Sequence, residues 1–457
     1  MKEEWYSERN KRTDSFTETN PDCHNVKIKV IVTLNTSEYV TQVMLTVLVN
    51  ILARWCHTIQ IICDDSSSII TPSKSGTILN NLREMLTGID PHGEFYFNGQ
   101  PAFEEDILIS IGSPGSNTKS PFVAIDANGW VASCAFNNYA GCDSPIKDTK
   151  NPLGAAFAAC LGNAELFRWA NNISSGNYCQ WYDLYSMSVE DKVIANPELL
   201  TDLDLGRVHV LGCGAIGSSF AYLMGLVDFS GEILFIDADA GVEIHNTSSS
   251  LLFAATDCDG RTKTEICKSY LLDSKYVVET FDGDYKNFNY NHHSKTQSAD
   301  VIMCFANDFD IWSTVQNLYP PLVFHATTSR SWGINVGRHI PLKDNCIMCT
   351  FKDLARVVFV PKCAEVDLPQ RPIKEGSGND EPHASILPFL SPSAAIIAFS
   401  QLIKLNQGKV VEENSTQFNM SSSGGIFIED QQKSLNCDIC RSQIPSLYNN
   451  LNIRLAY

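Results

Sequence analysis

The chain has 457 residues, of which 44% are apolar, and a formal net charge of −18. This length and apolar content argue against disorder over most of the chain and predict two domains, each with a hydrophobic core. The excess of acidic residues argues against broad binding to nucleic acid or anionic membrane. The sequence starts without an apolar signal region, and its longest apolar run, 43–53, is too short to cross a bilayer, so we expect a cytoplasmic protein.

Apolar runs separated by turn residues predict alternating strands and helices in the first part of the chain. The expected elements are strands at 27–34, 59–63, 107–111 and 122–125, a helix over 38–55, and a second helix that begins at Asn151. A polar segment, 190–205, contains a turn at Asn196-Pro197 and predicts the domain boundary. We therefore expect domains over 1–195 and 196–457.

A glycine-rich turn lies near the start of the second domain. A strand at 208–211 is followed by a turn that contains Gly212, Gly214 and Gly217 and then by a helix at 218–226. A second strand, 233–236, then ends at Asp237. Backbone N–H groups in such a turn bind phosphate, and an acid at the end of the second strand binds ribose. The pattern predicts a nucleotide site; the alternative is a glycine-rich structural turn.

The predicted elements of the second domain repeat the order of the first. In the second domain, strands at 300–305 and 322–326 are followed by an apolar helix from Ser391. In the first domain, the strands at 107–111 and 122–125 and the helix from Asn151 stand in the same order. The first domain has Leu-Asn-Thr-Ser at 34–37 in place of the glycines, so we expect it to have lost its nucleotide site. The alternative is a coincidental similarity between two α/β stretches. We also predict a surface loop at 374–381.

Sixteen cysteines without a secretory signal favour free thiols, metal ligands or a nucleophile over a disulfide framework. Two C-x-x-C pairs supply four thiolates for a structural Zn²⁺ site: Cys346, Cys349, Cys437 and Cys440. Redox pairs or buried thiols are the alternatives. Four thiolates leave no open coordination position, so we expect this zinc to stabilise the fold and to take no part in catalysis.

Taken together, the glycine turn, Asp237, the later Asn246 and Lys263, and the split cysteine pairs resemble the ubiquitin-activating enzyme family, with its ThiF, MoeB and HesA-like adenylating fold. The resemblance covers 203–440 well and the first half more loosely. It implies an α/β chain with two Rossmann-like adenylation-type domains, the first inactive and the second active, and a structural zinc site.

The resemblance also implies which residues bind ATP. Three glycines would cradle the phosphates, Asp237 would bind the ribose, two residues would line the nucleotide site, and a lysine would neutralise phosphate: in order, Gly212, Gly214, Gly217, Asp237, Asp239, Asn246 and Lys263. The Mg²⁺ ligand of the family corresponds to Asp308, with Asn307 and Asp310 as alternatives. Catalysis would consist of positioning and charge neutralisation, with no side-chain nucleophile in the first step.

The chain lacks the arginine that the family has shortly after the asparagine, since 247–250 reads Thr-Ser-Ser-Ser. Arg261 is one candidate substitute. In the sulfur-carrier enzymes a homodimer partner donates an N-terminal arginine, so Arg9 or Arg12 could reach over from the inactive copy in the same chain. A solvated basic patch is the alternative.

The segment after the first cysteine pair, 346–363, resembles the one that carries the thioester cysteine in related activating enzymes. Cys363 is therefore the candidate nucleophile, and Lys362, Arg356 and Arg371 are cations that would lower its pKa. The alternative is a buried, inert thiol. We expect the histidines considered as bases, His325, His339 and His383, to be packing or surface residues.

The resemblance implies ATP-dependent adenylation of the C-terminal carboxylate of a ubiquitin-like protein, then thioester formation on Cys363 and transfer to a ubiquitin-conjugating-enzyme-like protein. It extends to bacterial ubiquitination-like operons, some of them tied to antiviral defence, and it leaves a monomer or a homodimer open. The alternatives are a sulfur-carrier adenylyltransferase without a thioester, an NAD-dependent oxidoreductase that uses the same glycine turn, and a non-catalytic scaffold.

Overall fold

Two eight-stranded sheets form the framework of the protein in a computed structural model. The structure describes residues 2–14, 20, 22–64, 66–70, 76–98, 104–115, 120–138, 149–173, 176–190, 196–239, 241–341, 343–351, 386–409, 413–422, 426–432, 437 and 440. Cys363 and the predicted surface loop at 374–381 lie outside these residues.

The first sheet has the order β3-β2-β1-β4-β5-β6-β7-β8. Its strands are β1 (Lys27–Val32), β2 (Thr58–Ile62), β3 (Glu94–Tyr96), β4 (Ile107–Ile111), β5 (Phe122–Asn128), β6 (Val131–Phe136), β7 (Tyr178–Asp183) and β8 (Ser188–Glu190). The first five strands of this order are parallel, and β6, β7 and β8 are antiparallel.

The second sheet has the order β11-β10-β9-β12-β13-β14-β15-β16. Its strands are β9 (Asp204–Leu211), β10 (Ser230–Asp237), β11 (Lys275–Asp282), β12 (Val301–Cys304), β13 (Val323–Thr328), β14 (Gly333–His339), β15 (Ser415–Asn419) and β16 (Ile426–Glu429). The change from parallel to antiparallel pairing falls at the same place as in the first sheet. The predicted repetition of one α/β unit is therefore present in the order and direction of the strands.

Eleven helices accompany the sheets within the described part of the chain. They are α1 (Lys2–Asp14), α2 (Tyr39–Leu52), α3 (Ile78–Ile89), α4 (Leu153–Ala170), α5 (Ala215–Met224), α6 (Lys263–Tyr270), α7 (Tyr285–Asn291), α8 (His293–Gln297), α9 (Phe309–Asn317), α10 (Ile347–Thr350) and α11 (Leu390–Asn406). None of the helices in these described segments has the length and apolarity that a bilayer span requires.

The two helices whose sequences echo each other, α4 and α11, lie in contact between the two sheets. Nearly every residue of both helices is buried. A helix that is apolar around its whole circumference requires neighbours on all sides. Here α2 and α5 pack against α4 and α11 respectively, and one hydrophobic core runs through both halves.

Buried polar side chains connect the halves within this core. Arg168 Nη1 donates to the Met420 carbonyl at 3.0 Å, and Lys404 Nζ donates to the Leu184 carbonyl at 2.9 Å. Because buried donors are costly without acceptors, these bonds fix how the second sheet sits against the first.

The first helix, α1, is anchored to the first half through a buried ion pair. Arg9 Nη1 lies 2.8 Å from Asp90 Oδ2, and both side chains have no exposed surface. The Tyr6 hydroxyl donates to the same carboxylate at 3.1 Å, and its ring lies under the Arg9 guanidinium. Burial lowers the pKa of Arg9, an effect that the adjacent Asp90 carboxylate opposes. These contacts fix the position of α1.

Replacing Arg9 by methionine should lower the free energy of unfolding by about 3 kcal/mol, because it leaves the Asp90 carboxylate buried without its cation. The matched control is Lys11→Met on the same helix, whose partner Glu8 is half-exposed; loss of this pair should lower the free energy of unfolding by at most about 1 kcal/mol. Chemical denaturation of the three proteins measures both values, and equal losses for the two variants would contradict this account.

Candidate functional site

A cleft of about 250 Å³ opens at the carboxyl ends of β9, β10, β12 and β13. Ligands of open α/β sheets bind at this edge, next to the strands where the order reverses. Nine residues that the sequence singled out line the cleft: Arg12, Gly212, Gly214, Asp237, Asp239, Asn246, Lys263, Asn307 and Asp308.

Each of the three positions in the turn has a glycine for a different structural reason. Gly212 has a φ of +86°, and a Cβ there would lie 2.7 Å from the Ala306 nitrogen. A Cβ on Gly217 would lie 2.0 Å from the Gly212 carbonyl oxygen, so α5 can approach the turn only with a glycine at this position. A Cβ on Gly214 would meet nothing within 4 Å, which leaves this part of the backbone open to the cleft.

Asp237 follows the last apolar residue of β10 and holds the turn in place. Its Oδ2 accepts the Cys213 N–H at 2.6 Å, and its Oδ1 accepts the Asp239 N–H at 2.8 Å. Burial raises the pKa of this carboxyl, and the positive charge of Lys263 opposes the rise. The predicted ribose ligand thus also shapes the glycine turn.

Lys263 begins α6, where Thr262 and Glu265 form a capping box. Its ammonium lies 2.5 Å from Asp239 Oδ2, and its side chain is 6% exposed whereas that of Asp239 is 49% exposed. The positive charge is therefore held at the wall of the cleft by a carboxylate that water can reach. A bound anion can therefore replace part of the interaction between Asp239 and the Lys263 ammonium.

Two further polar segments border the cleft. Asn246 lies in a 3₁₀ turn, Ile244–Ser248, and its Oδ1 accepts the Glu243 N–H at 2.9 Å. Asp308 caps the N-terminus of α9, where its Oδ1 accepts the Asp310 and Ile311 N–H groups at 2.8 and 3.2 Å. Asn307 also lines the cleft, whereas Asp310 is not among its lining residues.

Only one of the three candidate arginines lines the cleft. Arg12, near the end of α1, does so, and its carbonyl accepts the N–H of Ile386, another lining residue. The expectation for Arg9 is corrected, because its guanidinium is buried against Asp90. Arg261 also lies elsewhere, since it donates to Asp257 at 2.6 Å and to Ser269 at 2.9 Å.

The four cysteines of the two C-x-x-C pairs come together although the pairs are far apart in sequence. All four sulfurs lie within 4.8 Å of one another, with separations of 3.7 Å for Cys346–Cys349, 3.4 Å for Cys346–Cys437 and 3.5 Å for Cys349–Cys440. Tetrahedral Zn²⁺ with Zn–S bonds of about 2.3 Å requires sulfurs about 3.8 Å apart. The group could therefore hold a zinc ion.

The remaining described cysteines and histidines fall outside the cleft lining. Outside the cluster, nine described cysteines form no disulfide, and Cys179 is disulfide-bonded. His325 Nδ1 and His339 Nε2 lie 2.7 Å apart in the interior, and burial lowers the pKa of both. These histidines belong to the neighbouring strands β13 and β14 and stack on each other in the interior, as expected of packing residues. His383, Cys363 and its three candidate cations lie outside the described residues.

Several lining residues were not anticipated from the sequence. Thr327 and Thr328 end β13, and Tyr285 begins α7. Ser391 lies in the first turn of α11, and Ile386 precedes that helix. The end of β13 could have been found, because all parallel strands of such a sheet end at the same edge. Ile386 carries no motif, and its N–H donates to the carbonyl of Arg12 in α1.

Comparison with known families agrees with this geometry. Residues 185–437, more than half of the 457, match the ThiF family. The chain belongs to the ThiF family. Its first half, residues 27–178, matches the BilD N-terminal domain. The ThiF family has the adenylation fold that the sequence motifs predicted.

Solved structures similar to this ThiF-family chain include MccB of E. coli. The complex with ATP has 21% identity and a TM-score of 0.37 and covers 51% of this chain. MccB, described as a microcin C7 biosynthetic enzyme, has also been solved in complex with N-formylated MccA, and this structure has the same identity, TM-score and coverage of this chain. This chain covers 65% of the first MccB chain and 67% of the second. No curated protein matches the chain.

Purified protein should contain one zinc ion per chain, measured by elemental analysis. Cys346→Ser should lose the metal and lower the unfolding temperature, because structural zinc contributes directly to folding free energy. Cys258→Ser is the control, since Cys258 is a partly buried free thiol outside the cluster. A zinc content of zero in the wild type, or one unchanged in Cys346→Ser, would exclude zinc coordination by these sulfurs.

Proposed function

We propose that the chain uses ATP and Mg²⁺ to adenylate the C-terminal carboxylate of a ubiquitin-like protein. The observation that carries the proposal is the single cleft in which an open glycine turn, Asp237, Lys263 and Arg12 meet. A backbone turn suited to phosphate and two cations match a triphosphate ligand. The fold and membership of the ThiF family agree with this reaction.

In the proposed step a carboxylate oxygen of the carrier attacks the α-phosphorus of ATP, and pyrophosphate leaves. The reaction accumulates negative charge on phosphate oxygens, so fixed positive charges lower the barrier. Lys263 and Arg12 would supply this charge, and the N–H groups of the turn at Gly214 would orient the phosphates. Asp237 would fix the ribose.

The residues that would hold Mg²⁺ are Asp308 and Asn307, whose side-chain oxygens are of the type this ion prefers. When bound, Mg²⁺ would neutralise charge on the departing pyrophosphate. The Asp308 carboxylate is already oriented, because the N-terminus of α9 donates two N–H groups to its Oδ1. Both of these hydrogen bonds end on Oδ1, and neither involves Oδ2.

The first half would contribute no second nucleotide site. Gln42, in the first turn of α2, donates from Nε2 to the carbonyl of Thr36, in the turn that replaces the glycines, at 2.9 Å and to that of Ser68 at 2.8 Å. Its Oε1 accepts the Ile70 N–H at 2.8 Å. A buried side chain thus links the segments between which a nucleotide would have to enter. This supports one inactive and one active copy.

Family membership favours adenylation over the oxidoreductase alternative, which uses the same glycine turn. An oxidoreductase would also leave the Lys263–Asp239 pair and Arg12 without a purpose in the cleft. A non-catalytic scaffold would not require an open turn at Gly214. The sulfur-carrier alternative shares the adenylation step and differs only in the fate of the acyl-adenylate.

Lys263→Ala should reduce ATP–pyrophosphate exchange, measured with a glycine-ended ubiquitin-like protein encoded beside the gene, by at least about 100-fold. Lys275→Ala is the control, because Lys275 is exposed and pairs with Asp202 and Asp228 away from the cleft. Exchange that persists in Lys263→Ala would remove the lysine from the mechanism. Absence of exchange in the wild type with every candidate carrier would contradict adenylation.

We further propose that Cys363 receives the activated carrier as a thioester and that a ubiquitin-conjugating-enzyme-like protein then takes it. The support is the resemblance of 346–363 to the segment that carries the thioester cysteine in related enzymes. In the sequence, Cys363 follows Cys349 of the candidate zinc site by 14 residues.

Cys363→Ala should abolish a thiol-sensitive covalent adduct between the chain and its carrier while ATP–pyrophosphate exchange continues, because adenylation needs no cysteine. Non-reducing electrophoresis with and without a thiol reductant detects the adduct. A thiol-sensitive adduct that still forms in Cys363→Ala would show that another residue is the acceptor. No adduct in the wild type would favour the sulfur-carrier alternative.

A further inference from the structure

A fully buried arginine of the first half contacts the backbone that borders the cleft of the second half. Arg54, two residues after α2 ends, has no exposed surface. Its Nη1 donates to the carbonyl of Thr247 and, at 2.9 Å, to that of Phe253. These acceptors are almost 200 residues away along the chain.

A neighbouring side chain extends this contact. Arg54 Nε donates to Asn50 Oδ1 at 2.9 Å, and Asn50 Nδ2 donates to the Leu251 carbonyl at 3.1 Å. One residue of α2 and one just beyond its end therefore satisfy three carbonyls within 247–253. This segment has no helix or strand of its own beyond its first 3₁₀ turn, so its carbonyls depend on such donors.

The held segment forms one wall of the proposed nucleotide site. Asn246 immediately precedes it, and Ser249 within it lines the cleft. Ser250 Oγ lies 2.6 Å from Ser218 Oγ on α5, the helix that starts at the glycine turn. Any shift of 247–253 would therefore be transmitted both to the cleft wall and to the glycine turn.

The chemistry of Arg54 indicates a positioning role. An uncompensated buried guanidinium destabilises a fold, and an apolar side chain would fill the same space at lower cost. The acceptors of Arg54 are backbone carbonyls together with Asn50, so its bonds fix a backbone conformation. A planar guanidinium can hold two carbonyls at once in a fixed geometry.

We propose that Arg54, with Asn50, is a positioning residue of the first half that holds 247–253 in the conformation that binds ATP. The inactive copy would thus retain a function: it braces the nucleotide site of the active copy. This inference rests on the proposed ATP-dependent function.

The test compares the wild type with Arg54→Met, Arg54→Lys and the matched control Lys404→Met. Lys404 is also a buried basic side chain, and it donates to backbone carbonyls across the two halves, those of Leu184 and Tyr185. Calorimetry measures the Kd of Mg-ATP, hydrogen exchange follows the amides of 246–253, and thermal unfolding measures stability.

Arg54→Met should weaken Mg-ATP binding by about tenfold and accelerate exchange in 246–253. Arg54→Lys should recover part of both, since an ammonium can still donate to the carbonyls. Lys404→Met should lower the unfolding temperature without changing either quantity. If Arg54→Met does not fold, Asn50→Ala replaces it, because it removes the bond to Leu251 and the acceptor of Arg54 Nε.

Arg54→Met that binds Mg-ATP as the wild type does, or that weakens binding no more than Lys404→Met, would overturn the inference. Failure of the proposed function has a different signature, namely a wild type that does not bind Mg-ATP. In that case the inference that Arg54 holds the segment for ATP binding also fails. Faster hydrogen exchange confined to 246–253 in Arg54→Met would then show only a structural contact.

Discussion

Burial of the two apolar helices α4 and α11 against each other is the constraint on which the rest of the structure depends. Neither helix has a polar face that could meet water, so each half must supply a surface for the other. The resulting core runs through both sheets. It brings α1 and the end of α2, both from the first half, against the loops of the second half that form the cleft.

The two halves share a topology but differ in the space at the ends of their strands. In the second half the turn at Gly214 opens onto the cleft, whereas in the first half Gln42 joins the corresponding loops by hydrogen bonds. Under the proposed function, the first copy has lost its nucleotide site and is free to serve another purpose. Arg12, which lines the cleft, and Arg54, which donates to the segment at its wall, are two residues by which the first half reaches the nucleotide-site region of the second.

Local patterns in the sequence were sufficient to predict the core strands, the glycine turn, Asp237 and the cysteine cluster. Each of these depends on residues close together or on a ligand set with fixed chemistry. The choice between Arg9 and Arg12 could not be made, because it depends on which face of α1 meets Asp90. Arg54 was missed because its acceptors are distant in sequence, and the antiparallel strands β6–β8 and β14–β16 were missed because they lack motifs.

A structure determined with Mg²⁺ and a non-hydrolysable ATP analogue tests the central claim most directly. The account predicts one nucleotide per chain in the second-half cleft, with phosphates at the turn of Gly214, the ribose at Asp237, and Lys263 and Arg12 in contact with phosphate. A nucleotide bound in the first half, or one whose phosphates contact neither Lys263 nor Arg12, would contradict it.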